Sequence, residues 1–427
     1  MDLKGYQNKR HAYTIENLLV ILFGFWAVFQ NIWLNLRISQ YLGSVAFSVI
    51  ILWIIAIFTL IMHLRLKAKS LYIWLVFFLC IGLQVVSGKA IWTSTLADLS
   101  VYFCTFIICS CVDPNMRNKD LLMKTLIISG LFIAFTVLID QVTHLFRSAL
   151  IGIYSNAAAS YKLHFSGTGG ILPNTAAAGG FIVSGLACYI TRLRIQKKRP
   201  SIKNWIIILI YSVSFVVIRK RGFALDIIAA LFILYVAGFI WKPNKSSIDI
   251  KRFIRRLVLL FGIVAAGLVL YNYVPFIRDA ADTYIKKFLR EDTTLSGRTF
   301  LFALAIQLFK TSPIFGIGWA RYRTYTRGVL SSNLNNTYDA HNVYLQVLSE
   351  TGIVGLVFYV IALIAAMIPG ARKLKESIRN NDEGRRPVLE LGMFLQLFYL
   401  FYSLSGNPLY DYTFFVVYFI GILMTFE

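Results

Sequence analysis

Apolar residues in this chain fall in long unbroken runs, with neither the period of two of a half-buried strand nor the polar face of a helix on water. A run of about 20 apolar residues spans the hydrocarbon core of a bilayer, because each helical residue rises about 1.5 Å. Helices are the natural form for such runs, since lipid offers no partner for an unpaired backbone N–H or C=O. The pattern predicts an all-α polytopic membrane protein, a single integral membrane domain over residues 1–427. Twelve spanning helices fit, over 15–36, 42–62, 71–87, 91–112, 121–139, 171–190, 204–218, 223–241, 257–275, 343–368, 388–404 and 412–426. The first run is too long for the core of a cleaved signal and reads as the first span. No internal repeat and no low-complexity linker interrupts the series.

Charge then orients the helices. An even number of spans puts both termini on one side, and lysine and arginine select that side. With the N-terminus inside, inner segments carry Lys4, Lys9 and Arg10, then Arg65, Lys67 and Lys69, then Arg117 and Lys119. Further inner segments hold Arg192 to Lys203, Lys242 to Arg256, and Arg372 to Arg386, whereas short outer turns carry few basic residues. Both termini are therefore expected in the cytoplasm. The formal net charge of +23 belongs to helix flanks that meet anionic lipid headgroups, which argues against a nucleic-acid partner. Membrane lipids are the expected partner of these flanks. All five cysteines fall in apolar segments without histidines at zinc-site spacing, and no Walker loop, dinucleotide fingerprint or HExxH is present. No metal and no cofactor is expected.

Two outer loops are long, Asp140 to Gly170 and a large extracytoplasmic loop over 276–342. In the second, Phe300, Leu301, Leu304, Leu308 and Phe309 share one face of a short amphipathic helix over Thr299 to Lys310, too short to span. Such a helix lies on the membrane surface or caps a cavity, and Pro313, Gly316 and Gly318 end it. Outer charges are the exceptions that could carry chemistry. Arg219, Lys220 and Arg221 crowd a very short outer turn against the favoured orientation, as a snorkelling cluster or as an anion site. Arg298 follows Ser296-Gly297, where close backbone approach and a two-pronged guanidinium suit phosphate; solvated arginine is the plain alternative, as it is for Arg321 and Arg323. His341, beside Asn342 at a membrane boundary, is either structural or a general base. Glu350, nine residues on, falls on the opposite helical face and serves a buried contact or a function. Asp98, Asp226 and Glu390 are placed to neutralise arginines inside the bundle. Gly167 to Asn174 opens the sixth helix as a turn, or as a glycine-rich approach to free N–H groups.

Taken in order, these segments resemble the O-antigen ligase/polymerase superfamily of bacterial envelope glycosyltransferases. The resemblance is carried by Gly167-Thr168 with Pro173-Asn174, by Arg219-Lys220-Arg221-Gly222, by SGRTFLFALAIQLFKTSPIFGIGWARYR at 296–323 and by HNVYLQVLSETGIVG at 341–355. It covers residues 160–360, and Ser405 to Tyr410 is similar to a stretch of capsule-type polymerases. The resemblance implies a donor, an oligosaccharide on undecaprenyl pyrophosphate at the outer face of the bacterial cytoplasmic membrane. It also implies catalytic roles for Arg221, Arg298 and His341. Arg219, Lys220, Arg321, Arg323, Asn342, Asn174 and Glu350 would then contact pyrophosphate or sugar. The implied chemistry is metal-independent, inverting polymerisation of repeat units into O-antigen, capsule or exopolysaccharide, with a chain-length regulator as a further partner. A ligase moving finished glycan to lipid A core or another acceptor is the alternative. A lipid-linked sugar flippase is a third reading, disfavoured by the absence of repeated halves and of charges at mid-membrane.

Overall fold

A computed structural model describes residues 3–41, 44–63, 69–164, 168–197, 200–242, 272–273, 278, 282, 295–327 and 337–426. Within them every regular element is a helix, as the apolar runs require. The main ones are α1 (Leu3–Asn35), α2 (Ser44–His63), α3 (Tyr72–Val86), α4 (Trp92–Cys111), α5 (Met116–Thr143), α6 (Asn156–His164) and α7 (Thr175–Gln196). They continue with α8 (Ile202–Ile218), α9 (Arg221–Ile240), α10 (Leu295–Thr311), α11 (Val343–Arg379), α12 (Arg386–Ser405) and α13 (Tyr412–Thr425). Eight are long and apolar enough to cross a membrane, and α3, α8 and α13 are shorter apolar helices. This is an all-α polytopic membrane protein. The predicted span over 257–275 lies almost wholly outside the described residues, so the predicted total of twelve rests on sequence alone.

Lipid-facing and protein-facing surfaces separate along each helix. On α2, Ile50, Ile54, Ile57 and Ile61 point outward, while Leu52, Ile55 and Ala56 are buried. On α9, Leu225, Ile228, Leu231 and Phe232 are exposed. In a water-soluble protein such faces would be a liability, but in a bilayer they meet hydrocarbon. The centre is aromatic. The fully buried Trp74 lies edge-on to Tyr359 and Phe415, at 5.8 Å and 5.7 Å between ring centres, and tilted against Phe419 at 5.5 Å, which joins α3, α11 and α13.

One end of the bundle is tied by ion pairs: Glu390 takes both Arg386 (2.7 Å) and Arg194 (2.6 Å), and Asp120 takes Arg192 (2.8 Å). Glu390 thus neutralises arginines as expected. Asp98 does not. Its carboxylate is held by the Trp319 indole N–H (2.8 Å) and the Tyr412 hydroxyl (2.6 Å) rather than by an ion pair among the described residues. At the other end, the segment after α5 packs around a buried charge pair that the sequence did not reveal. Asp140 accepts from Lys162 (3.1 Å), Thr168 (2.5 Å) and the Phe146 N–H (2.8 Å). Lys162 also donates to the Gly170 carbonyl (2.5 Å), which fixes the approach to α7.

Candidate functional site

The site end is built around a break in α11. Gly352 has φ 67° and ψ −168°, so the helix is interrupted there and backbone groups on both sides lose their intrahelical partners. Residues 313–318 supply replacements. Ile317 and Gly318 donate to the carbonyls of Ser349 and Glu350 (both 3.0 Å), and Ile353 and Val354 donate to those of Pro313 (2.9 Å) and Ile314 (3.3 Å). The two backbones are so close that a Cβ on Gly316 would lie 2.3 Å from the Glu350 carbonyl oxygen. The PIFGIG and ETGIVG stretches are thus the two halves of one clamp. Buried Gln84 of α3 locks it, donating to the carbonyls of Phe315 (2.7 Å) and Glu350 (3.0 Å) and accepting from the Trp319 N–H (2.8 Å).

Below the clamp, Glu350 is fully buried. One carboxylate oxygen accepts from the Tyr322 N–H (3.1 Å) and the other from the Tyr410 hydroxyl (2.8 Å). Tyr410 in turn stacks on Trp319 at 5.0 Å. Both Glu350 oxygens are therefore engaged within the protein. The residue sets the position of the loop over 318–322 and of the segment before α13.

Three helix starts converge above this network. Lys220 caps α9 without a side-chain hydrogen bond to it, which leaves the first amides of that helix uncapped. Asn342 caps α11 by accepting from the Leu345 N–H (3.1 Å) and reaches the Leu404 carbonyl (3.3 Å) at the end of α12. Asp411 caps α13 by accepting from the Thr413 N–H (3.0 Å). A Cβ on Gly222 would lie 3.2 Å from the Ser405 hydroxyl, so the start of α9 also abuts the end of α12.

Cations and one imidazole gather at this corner. Burial, then the Arg298 charge, draw the Lys220 amine down to about 8 against the pull of Asp411. Burial, then Arg298, draw His341 down to about 4; Asp339 opposes and Lys220 adds to the fall. Burial raises the Asp411 carboxyl to about 6, opposed by Thr413 and Lys220. Arg298 on α10, Lys220 in the α8–α9 turn and His341 before α11 therefore feel one another. Among the described residues, no side chain hydrogen-bonds to or ion-pairs with any of the three. Arg219 and His341 both hold left-handed backbones, with φ of 59° and 53°. Non-glycine residues adopt that conformation at a cost, and it recurs where a side chain must be aimed. His341 is flanked by fixed points: Arg323 grips Asp339 through two contacts of 2.6 Å and 2.7 Å, and Gln346 holds Asp339 (3.1 Å) and the Ala340 N–H (2.9 Å).

The remaining predicted residues separate into holders and unplaced groups. Arg323 is engaged by Asp339, and Arg321 donates to the Gly88 carbonyl (3.1 Å). Asn174 caps α7 through the Ala176 N–H (2.9 Å), so its side-chain oxygen is used in the fold. Arg221 is the first residue of α9, and its side chain lies outside the described part of the structure, as does Gly167. The amphipathic helix is observed as α10, whose Leu301, Ala305 and Leu308 are buried against Tyr322, Ala340 and Leu345 rather than left on a surface. Gln84, Tyr410 and Asp411 were missed by sequence reading. Only Asp411, a carboxylate directly before an apolar helix, carried a readable cap signal.

Comparison with known proteins fits this geometry. Residues 206–360 match the family described as O-Antigen ligase, a stretch that holds Lys220, Arg298, Arg323, Asp339, His341 and both halves of the clamp. The chain is also similar to the exopolysaccharide production protein ExoQ of Rhizobium meliloti (strain 1021), at 27% identity over 132 residues. That match takes in 29% of this chain and spans only 28% of the relative's length. The shared stretch, the all-helical membrane bundle and the clamp it encloses agree, and over this stretch the chain is similar to the O-antigen ligase/polymerase superfamily.

Proposed function

We propose that this protein is an envelope glycosyltransferase that polymerises oligosaccharide repeat units carried on undecaprenyl pyrophosphate, at the outer face of the bacterial cytoplasmic membrane. The observation that carries the reading is the group formed by Arg298, Lys220 and His341, which among the described residues makes no ion pair and sits beside the uncapped start of α9. Cations left without partners, next to free backbone N–H groups, are a site for an anion of high charge. A lipid-linked diphosphate satisfies that demand.

In the reaction the acceptor hydroxyl oxygen attacks the anomeric carbon, the bond from that carbon to the diphosphate oxygen breaks, and the electron pair leaves with the diphosphate. Arg298 and Lys220, with Arg221 at the head of α9, stabilise the negative charge that grows there. His341 is neutral at pH 7 and takes the hydroxyl proton. Its basicity is lowered by burial first and then by the Arg298 and Lys220 charges, and a bound diphosphate offsets the part that the cations contribute. The site thereby becomes a better base only when the donor is in place. Attack opposite the leaving group inverts the anomeric centre.

The test uses the purified full-length protein with a polyprenyl-diphosphate oligosaccharide, its products resolved on a gel. His341→Ala is expected to abolish polymer at normal protein levels, and Arg298→Lys, which keeps charge but loses the two-pronged grip, to impair it strongly. Wild-type chain length from His341→Ala would exclude the imidazole as base. The family's ligase description favours a second reading, transfer of finished glycan to another acceptor. Gene deletion separates the two: single repeat units at the surface mark a polymerase, and long chains retained on carrier mark a ligase.

A further inference from the structure

At the end of the bundle remote from this site, the structure gathers another set of groups. Glu16 in the middle of α1, His63 at the end of α2 and Asp113 just after α4 bring ligand atoms within 4.8 Å of one another. The closest measured pair is His63 Nε2 to Glu16 Oε1, at 3.5 Å. We propose that Glu16, His63 and Asp113 form a binding site for a divalent cation of the zinc class, clamping α1, α2 and the α4–α5 turn together.

Distance is the first argument. Zinc binds imidazole nitrogen and carboxylate oxygen at about 2.0–2.2 Å, so neighbouring ligands of a tetrahedral ion stand about 3.4 Å apart. The His63–Glu16 separation already has that value, and the wider limit of 4.8 Å closes with a rotamer adjustment of a carboxylate. One neutral imidazole and two carboxylates leave a fourth position for water.

The arrangement behind the ligands is the second. Asn118 is buried and donates to Glu16 Oε1 (2.7 Å) and to the Asp113 carbonyl (2.9 Å), and its own N–H is fixed by Asn115 (2.8 Å). One amide thus orients the Glu16 carboxylate, as the outer hydrogen bonds of metal sites do, and fixes the backbone of Asp113 beside it. Glu16 is only 6% exposed, both of its measured contacts converge on Oε1, and Oε2 accepts no hydrogen bond among the described residues. A carboxylate buried to that degree needs a positive partner. The site is separate from the diphosphate corner, since α13 runs from one to the other over roughly 20 Å.

The experiment strips the full-length protein, carrying a tag without histidines, with a chelator in detergent. It then equilibrates the protein with zinc, removes free metal and measures what is retained. The wild type is expected to hold about one zinc more per chain than His63→Ala or Glu16→Gln, and the control His144→Ala to match the wild type. Asn118→Ala should retain the site with affinity lowered 10–100-fold. Equal retention by wild type and His63→Ala would overturn the proposal and leave an ion pair. Cobalt provides a reading that needs no variant: visible absorption bands of a four-coordinate ion in the wild type support the site, and their absence counts against it.

Discussion

Replacing Gly352 by alanine tests the clamp that positions the site. At φ 67° and ψ −168°, residue 352 occupies a region open in practice to glycine alone. An added Cβ would lie 2.3 Å from the Ile314 carbonyl oxygen, 2.4 Å from its carbon and 2.6 Å from the Phe315 nitrogen. All three are backbone atoms, so no side chain can turn aside. The backbone conformation costs about 1–3 kcal/mol for a residue other than glycine. Relief requires the two chains to separate, at the expense of the Ile353–Pro313 and Val354–Ile314 hydrogen bonds, about 1 kcal/mol each. Gly352→Ala should therefore destabilise by about 3–5 kcal/mol. Gly82→Ala is the matched control, because it lies inside α3 with nothing within 4 Å of its added Cβ. There alanine should be neutral or stabilise by about 0.5–1 kcal/mol. Thermal unfolding of both variants in detergent, followed by tryptophan fluorescence, reads the difference. Equal midpoints would refute the reasoning, since the contact between 313–318 and 349–354 would then contribute nothing.

Four further outcomes follow from the site. Lys220, drawn to about 8 from its ordinary 10.5, is disfavoured in its charged form by folding, so its full stability lies above pH 10.5 and falls as pH drops through 8. Lys220→Met should raise the unfolding midpoint at pH 7 while lowering polymer output, and a lowered midpoint would contradict the placement of the amine. His341, drawn to about 4 from 6.5, should cost the wild type stability as pH falls from 6.5 to 4. His341→Gln should flatten that loss in a pH series of melts. Inorganic pyrophosphate should stabilise the wild type at low salt and Arg298→Gln much less; identical shifts would place the anion elsewhere. Tyr410→Phe removes a hydrogen bond to the buried Glu350 and should destabilise by about 1–3 kcal/mol, measured by the same melts.

Much of this protein is determined by its sequence alone. Unbroken apolar runs admit only helices in lipid, so the starts and ends of α2, α3, α4 and α9 fall within a few residues of where hydropathy put them. The crowding of charge at Arg219 to Arg221, Arg298 and His341 is legible too, because charge at a membrane boundary is costly and stands out against its surroundings. Partnership was not. Whether an arginine is available or already held depends on residues distant in the chain, and only the tertiary structure shows Arg323 taken by Asp339 while Arg298 makes no ion pair among the described residues. The same holds for Glu350, for which the sequence left a buried contact and a function both open, and whose oxygens accept from Tyr322 and Tyr410. Gln84 had no signal at all, since it lies far along the chain from the two segments it joins. Hydropathy is a sum over neighbours along the chain, and it fixes which segments enter the membrane. Hydrogen bonds and ion pairs are set by neighbours in space, and folding alone decides which cations are left for a ligand.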